Sequence, residues 1–355
     1  MARVLLVIAG LGAGLLVAEL VIRVVAWNDP ELGARMRHLT DSGSGIGFRW
    51  QGHPFLPFVG KQSHDYVVQR DDVWAGFEVR GVNNAHGFRA HEFPTAKGPD
   101  DVHVLCFGGS TTWGAIADSN ATTWPGLLEQ RLARRYPDKN VKVFNFGIST
   151  ATTAFSVVTL STIGVHLDPD LVIVYHGATD QEPIRRADFK TDHSHYFKDF
   201  DAEWLGVRRS MPAWTLGSYT VAYITGRLDE AMQVNSLMFY VTRRGFDSVG
   251  GDVNAAERML PNLRTMHSVA AGAGAPIVFS TFQLYDEELD PRLNPTLRAF
   301  FEENDFAYVD QAALIPDLDR EINIDDCHFT RDGREMVADN FFAFVDANRL
   351  LEPPR

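Results

Sequence analysis

The sequence predicts a three-layer α/β fold, in which a parallel five-stranded sheet lies between two layers of helices. Five short apolar runs, typical of strands buried on both faces, alternate with segments of helical periodicity. Because helices separate consecutive strands, the strands are expected to run parallel. The predicted strands are Val102–Phe107, Val141–Phe146, Leu171–Tyr175, Pro276–Thr281 and Phe306–Val309.

The helices between these strands are predicted from apolar residues that recur every three or four positions. In the first of them, Leu127, Leu128 and Leu132 lie on one face. Pro261 lies inside another and is expected to kink or restart it. The predicted helices are Trp124–Tyr136, Thr152–Val165, Ala255–Ala271, Asn294–Glu303 and Arg331–Asn348.

The N-terminal segment has the composition of a membrane helix. From Val4 to Trp27 the chain is apolar except for Glu19 and Arg23. As a helix this run would be about 36 Å long, more than the roughly 30 Å of a bilayer's hydrocarbon core. We therefore expect a transmembrane anchor over residues 1–27, with a cleaved signal peptide as the alternative. In either case the rest of the protein is expected on the extracytoplasmic, cell-envelope side.

Two further segments differ from the alternating pattern. Residues 28–100 are rich in Gly, His, Asp and aromatic residues, which predicts a juxtamembrane segment of loops and short strands packed on the domain behind it. Residues 181–251 interrupt the alternation within the main domain, residues 101–350. This insertion is either a lid or substrate-binding subdomain, or a helical segment that only covers one end of the sheet.

Composition excludes some functions. The formal charge of −13 argues against a nucleic-acid partner, because a phosphate backbone requires a basic face. The two cysteines, Cys106 and Cys327, do not form a zinc-binding pattern. They are expected to be free thiols, although a disulfide between them is geometrically possible. No metal or organic cofactor is predicted.

A candidate nucleophile follows the first predicted strand. Gly108 and Gly109 permit a sharp turn that would raise Ser110 above the edge of the sheet, where ligands bind in open α/β folds. The alternative, a phosphate-binding loop, lacks the GxxxxGK[ST] pattern.

A candidate base follows the last predicted strand, and therefore lies at the same edge of the sheet. His328 stands three residues after Asp325, a spacing that lets the carboxylate reach Nδ1 of the ring within a turn. Nε2 would then remain free to accept the proton of Ser110. A serine hydroxyl needs such a base to become a nucleophile, and a carboxylate holds the base in position.

Four short blocks occur in order along the chain, and a further segment, Asn84–Arg89, precedes them. The four blocks are Phe107–Gly114, Asn145–Ser149, Tyr175–Asp180 and Asp325–Thr330. With these blocks in this order, the chain resembles the SGNH (GDSL-like) hydrolase superfamily, in its branch with an N-terminal membrane anchor. The similarity spans roughly residues 50 to 345.

The resemblance implies a flavodoxin-like sheet and a catalytic triad of Ser110, His328 and Asp325. It also implies an oxyanion hole made by the N–H groups of Ser110 and Gly147 and by residue 179. The family usually has Asn at this last position, and Thr179 offers only a shorter, single donor. Loss of one oxyanion donor typically lowers turnover about 10²–10³-fold, so a slower enzyme is expected.

The expected activity is that of a serine esterase that hydrolyses small acyl esters, chiefly acetyl esters of a carbohydrate, through an acyl-enzyme. Two alternatives remain open at this point. One is a polysaccharide O-acyltransferase that uses the same triad, and the other is a non-catalytic glycan-binding or envelope-assembly protein on the same fold. The expected partners are a small-molecule or carbohydrate ester and, through the N-terminal helix, a membrane.

Overall fold

The structure of the 355-residue chain is a computed structural model. It divides into two compact units, which we call the N-terminal unit (Met1–Gly52 with Tyr196–Phe246) and the sheet unit (His53–His195 with Asp247–Arg355). The structure describes residues 2–29, 32–33, 36, 50–51, 53, 55–69, 78–184, 189–196, 218–224, 254–283, 290–315, 322–325 and 327–352. Most of the predicted insertion 181–251 therefore lies outside the described residues, and its role stays a prediction.

The N-terminal unit is built on helix α1 (Ala2–Asn28) and also contains strand β1 (Trp50–Gln51) and a helical segment at 219–224. Glu19 of α1 lies at the start of that segment, where its carboxylate accepts hydrogen bonds from the N–H groups of Tyr219 (3.0 Å) and Thr220 (2.9 Å). Burial by itself raises the pKa of Glu19. These hydrogen bonds and one from Ser218 outweigh that effect and lower the pKa to about 2. A small apolar cluster joins the same elements through Ala26, Met36 and Ala222, with Ile22, Leu32, Tyr219 and Tyr223 packed against it.

The predicted membrane span is not supported. Among the described residues, no helix is both long and apolar enough to cross a bilayer. The two charged residues in the apolar run of α1 form an ion pair, with Arg23 Nε 2.8 Å from Glu19 Oε1.

The sheet unit begins with short strands that precede its main sheet. Strands β3 (His64–Gln69) and β4 (Glu78–Asn83) form an antiparallel pair in which His64 lies opposite Asn83. A shorter strand, β2 (Val59–Gly60), comes just before them.

The main sheet has five parallel strands, as predicted. They are β5 (Asp101–Gly108), β6 (Asn140–Asn145), β7 (Leu171–Tyr175), β8 (Ile277–Ser280) and β9 (Tyr308–Val309). Their order in space is β6-β5-β7-β8-β9. Residues such as Val104, Leu105 and Ile173 are fully buried, in agreement with the continuous apolar runs in the sequence.

Helices connect these strands close to the predicted bounds. The helix expected at Thr152–Val165 ends earlier, because Ile163 leaves helical geometry and a 3₁₀ turn (Gly164–Leu167) follows. Pro261 does not interrupt the helix that contains it. The helices are α2 (Ser110–Trp113), α3 (Trp124–Arg135), α4 (Thr153–Thr162), α5 (Ala178–Ile184), α6 (Ala255–Gly272), α7 (Leu293–Glu303), α8 (Gln311–Leu314) and α9 (Arg331–Ala347), with a 3₁₀ turn at Asn120–Thr122.

The helices form two groups, and the strand order places these groups on opposite faces. Helix α3 packs against α9, whereas α4 packs against α6 and α6 against α7. From β5 the chain moves to β6 on one side and then returns past β5 to β7 on the other. With right-handed crossovers, this reversal puts the two groups of helices on different faces. It also opens a crevice at the carboxyl ends of β5 and β7, the usual ligand site of such sheets.

Candidate active site

Ser110 lies at the carboxyl end of the central strand β5. A side chain at Gly108 would place its Cβ 2.5 Å from the carbonyl oxygen of Tyr175, so the close approach of β7 requires glycine there. Gly109 then leads directly into α2, which begins at Ser110. The turn therefore leaves the half-buried hydroxyl of Ser110 at the edge of the sheet.

Asp325 and His328 lie in a tight turn that precedes α9. The turn is closed by main-chain hydrogen bonds from Ile324 N to His328 O (2.9 Å) and from Thr330 N to Ile322 O (2.8 Å). Within it, Oδ1 of Asp325 accepts the N–H groups of Cys327 (3.1 Å) and His328 (2.9 Å). The carboxylate is thereby folded back toward the ring of His328.

The structure brings Ser110, His328 and Asp325 together. Nε2 of His328 lies 2.7 Å from Oγ of Ser110, and Nδ1 lies 2.8 Å from each carboxylate oxygen of Asp325. A carboxylate can only accept, so Nδ1 carries the proton and Nε2 is the acceptor for the serine hydroxyl. A bond from Thr111 Oγ1 to the carbonyl oxygen of Cys327 (2.9 Å) ties the two loops together.

The surroundings of His328 stabilise a positive charge on the ring. Burial opposes the charge, but the neighbouring sulfur of Cys327 and the carboxylate of Asp325 raise the pKa of His328 to about 10. The ring can accept the proton of Ser110 only while it is neutral, and these groups then stabilise the imidazolium that forms. The arrangement can therefore generate a nucleophilic oxygen at the edge of the sheet.

The chain matches the sequence profile of the GDSL-like lipase/acylhydrolase family over residues 106–336, more than half of its length. It belongs to this family. The matched range includes Ser110, Thr179, Asp325 and His328. As a member of the GDSL-like family, the protein is a serine hydrolase that acts on ester bonds.

Solved structures resemble the chain only distantly. TesA is 16% identical, with a TM-score of 0.43 over 69% of this chain and 98% of TesA. A variant of Axe2, an acetyl-xylooligosaccharide esterase from Geobacillus Stearmophilus, is 15% identical, with a TM-score of 0.44 over 69% of this chain and 94% of that one. A two-domain esterase active on acetylated mannans (CEX) is 13% identical, with a TM-score of 0.42 over 72% of this chain and 50% of that one. No curated protein sequence matches the chain.

Gly147 is not placed as the resemblance to the GDSL-like family implied. Its N–H already donates to Oδ1 of Asn145 (2.8 Å), while Nδ2 of the same amide donates to the carbonyl oxygen of Thr112 (2.8 Å). Gly147 therefore lies against α2, where an added Cβ would fall 2.6 Å from the carbonyl carbon of Thr112. Its N–H is used to attach the loop after β6 to α2, so the prediction of an oxyanion donor at this atom is corrected.

A residue that the sequence reasoning missed lies three positions later. Thr150 adopts a left-handed conformation (φ 68°), and among the described residues its N–H has no hydrogen-bond acceptor. The loop that carries it contacts the start of the nucleophile turn, because Ile148 N donates to Gly108 O (3.2 Å). The N–H of Thr150 is thus a main-chain donor without a partner among the described residues, on the loop that contacts the nucleophile turn. A threonine gives no sign in the sequence that its backbone takes this conformation.

Thr179 lies against the nucleophile turn. A Cβ on Gly109 would come within 2.5 Å of the Thr179 hydroxyl oxygen. The structure therefore places this hydroxyl next to the residue that precedes Ser110, on the first turn of α5. The absence of a side chain at Gly109 is what leaves room for it.

A second serine–histidine–aspartate arrangement lies behind these loops. Ser156 Oγ is 2.7 Å from His176 Nε2, and His176 Nδ1 is 3.2 Å from Asp180 Oδ2. All three residues are at most 3% exposed, so a substrate cannot reach them. Burial acts against the charge of Asp180, yet His176 and Thr153 hold its pKa below the usual value. This buried group connects α4 with α5. It thereby supports the loop that carries Thr150 and the first turn of α5, which carries Thr179.

Proposed function

We propose that Ser110 is the nucleophile of an ester hydrolase, with His328 as its general base and Asp325 as the group that positions the imidazole. The observation that carries the proposal is the 2.7 Å distance between Ser110 Oγ and His328 Nε2, together with the contact of Nδ1 with Asp325. These groups come from loops more than two hundred residues apart. Their alignment in the order required for proton transfer supports a catalytic role.

The reaction has two steps. In the first, Oγ of Ser110 attacks the ester carbonyl while His328 takes the hydroxyl proton. The resulting oxyanion is held by the N–H groups of Ser110 and Thr150 and by the hydroxyl of Thr179. The carbon–oxygen bond to the alcohol then breaks, and His328 returns the proton to the departing oxygen. In the second step, a water attacks the acyl-serine with His328 again as base, which releases the carboxylic acid and restores Ser110.

The substrate proposed is a small acyl ester, with acetylated carbohydrate as the first candidate. The formal charge of −13 supports an uncharged substrate over a polyanion, because an acidic protein repels negative charge at long range. We also propose an extracytoplasmic location, since α1 exposes an apolar surface at residues such as Leu16 (74% exposed) and Leu20 (64%). If protease added to cells with a permeabilised outer envelope leaves the chain undigested, while lysis of the cytoplasmic membrane exposes it, this location is wrong.

A fluorophosphonate probe, which reacts only with activated serines, tests the proposed nucleophile. We expect the wild type to be labelled and Ser110→Ala to lose all labelling. The matched control is Ser156→Ala, because Ser156 has the same 2.7 Å contact with a histidine but is buried. This variant should be labelled like the wild type. Equal labelling of wild type and Ser110→Ala would overturn the proposal. Release of acetate from an acetylated oligosaccharide, measured with the same variants, tests the proposed acyl group.

The contact between Gly109 and Thr179 gives a second expected result. Gly109→Ala should lower kcat/KM by roughly tenfold or more, because the new methyl group displaces the Thr179 hydroxyl from the oxyanion hole. In a Thr179→Ala background this hydroxyl is already gone, and the atom next nearest to the new Cβ is 3.4 Å away. The double variant should therefore be no slower than Thr179→Ala alone. Additive losses in this double-mutant cycle would show that the two positions act independently.

A further inference from the structure

The turn that carries His328 also brings together three different metal-binding side chains. The donor atoms of Asp325, Cys327 and His328 all lie within 4.8 Å of one another. Sγ of Cys327 is 3.7 Å from Nδ1 of His328, and that nitrogen is 2.8 Å from the carboxylate. Cys327 is half-buried. In the proposed hydrolysis its sulfur is not a reacting atom.

The separation of two of these atoms is close to that in a tetrahedral zinc site. Zinc binds sulfur at about 2.3 Å and imidazole nitrogen at about 2.0–2.1 Å, which separates the two ligand atoms by roughly 3.5 Å. The observed separation of Sγ and Nδ1 is 3.7 Å. Sγ is also 3.9 Å from Nε2, so binding at Nδ1 requires the Cys327 side chain to rotate toward the carboxylate, while the main-chain bonds hold the turn itself in place.

We propose that this turn is an inhibitory site for Zn²⁺ or a similar thiophilic divalent cation. The ligands are the thiolate of Cys327, Nδ1 of His328 and a carboxylate oxygen of Asp325, and the remaining positions are open to water. Thiolate, imidazole and carboxylate together form a donor set that zinc prefers.

Metal binding at Nδ1 changes which ring nitrogen carries the proton. The thiol releases one proton to solvent when it becomes a thiolate. The proton on Nδ1 of the neutral ring leaves and one is taken up at Nε2, so the ring itself stays neutral. Nε2 then donates to Ser110 Oγ instead of accepting from it, and Ser110 loses its base. The inhibition, though not the binding, rests on the proposed function of Ser110 and His328.

Cobalt(II) tests the binding without any measurement of activity. A thiolate bound to Co²⁺ gives a charge-transfer absorption in the near ultraviolet, and the chain contains only two cysteines. We expect this band in the wild type and in Cys106→Ala, and expect it to be lost in Cys327→Ser and Cys327→Ala. Cys106 is the matched control because it is fully buried. Absence of the band from the wild type, or its persistence in both Cys327 variants, would overturn the site.

Zinc titration of the esterase activity tests the inhibition. Each variant is compared with its own rate in the presence of EDTA. Loss of one of three ligands should raise the half-inhibitory zinc concentration of Cys327→Ser by about tenfold or more, whereas Cys106→Ala should match the wild type. Zinc that binds, as the cobalt band reports, but leaves turnover unchanged would contradict the inhibitory role. Failure of the proposed nucleophile would give a different result from failure of the metal site. If Ser110 is not the nucleophile, the cobalt band should still appear, but fluorophosphonate labelling should be the same with and without Ser110.

Discussion

Replacing His328 with alanine is expected to lower kcat by about 10⁴–10⁶-fold, because the serine hydroxyl then has no base to accept its proton. The alanine removes the ring that lies 2.7 Å from Ser110 Oγ. Steady-state hydrolysis of an activated acetyl ester, corrected for spontaneous hydrolysis, measures the loss. His166→Ala is the matched control, since His166 is exposed and lies outside the predicted blocks.

Asp325→Asn should lower kcat by roughly 10⁴-fold and leave the fold intact. The amide can still accept the N–H groups of Cys327 and His328, but it cannot stabilise the imidazolium that forms during the reaction. A His328→Ala/Asp325→Asn double variant should be no slower than His328→Ala alone, since the carboxylate acts only through the ring. Losses that add in the double variant would mean that Asp325 has a role of its own, against the proposed mechanism.

Arg89→Met is expected to have the largest effect on stability. Arg89 is 1% exposed, and its guanidinium donates to the carbonyl oxygens of Trp113 (3.1 Å), Gly114 (2.7 Å) and Ala117 (3.1 Å). It also donates to Asn120 Oδ1 (2.9 Å) and to the carbonyl oxygen of Arg80. A methionine fills much of the same volume but leaves these buried acceptors without donors, at about 1–3 kcal/mol each. We expect a loss of roughly 3–5 kcal/mol in the free energy of unfolding.

Urea denaturation measures this loss as a lower midpoint at an unchanged slope. Arg331→Met is the control, because Arg331 is exposed and pairs with Glu335 (3.1 Å) four residues later on α9. Such a surface pair contributes below about 1 kcal/mol, so its loss should be close to neutral. Similar midpoints for the two variants would show that the Arg89 contacts do not stabilise the nucleophile turn.

The strands and helices were predictable where the local sequence pattern specifies them. The five strands are continuous apolar runs, and all five appear in the sheet within a few residues of the predicted bounds. Helix α3 was predictable from Leu127, Leu128 and Leu132, which are buried on one face. Both cysteines are free thiols, as expected. In the strands and the helix the evidence lies within the segment itself, because the spacing of its apolar residues depends on which face the strand or helix buries.

Other features depend on contacts between distant segments and gave no local signal. Arg89 ends the segment Asn84–Arg89 noted in the sequence, but only the fold surrounds its guanidinium with carbonyl groups. Gly147 was predicted as an oxyanion donor from the resemblance of its block to the family, but its N–H donates to Asn145. Thr150, which has the left-handed backbone, could not be recognised from its side chain. The membrane span was inferred from the apolarity and length of the N-terminal run, and it is not supported by the described helix.

The order of strands and loops along the chain already determined that a serine after β5 and a histidine before α9 would lie at one edge of the sheet. Parallel strands joined by helices put all their carboxyl ends on the same side, whatever the side chains are. Only the tertiary structure decided which donors near this edge already have acceptors, because a hydrogen bond depends on ångström-scale distances and angles. Side chains far apart in sequence, such as Asn145 beside Thr112 and Thr179 beside Gly109, set those distances.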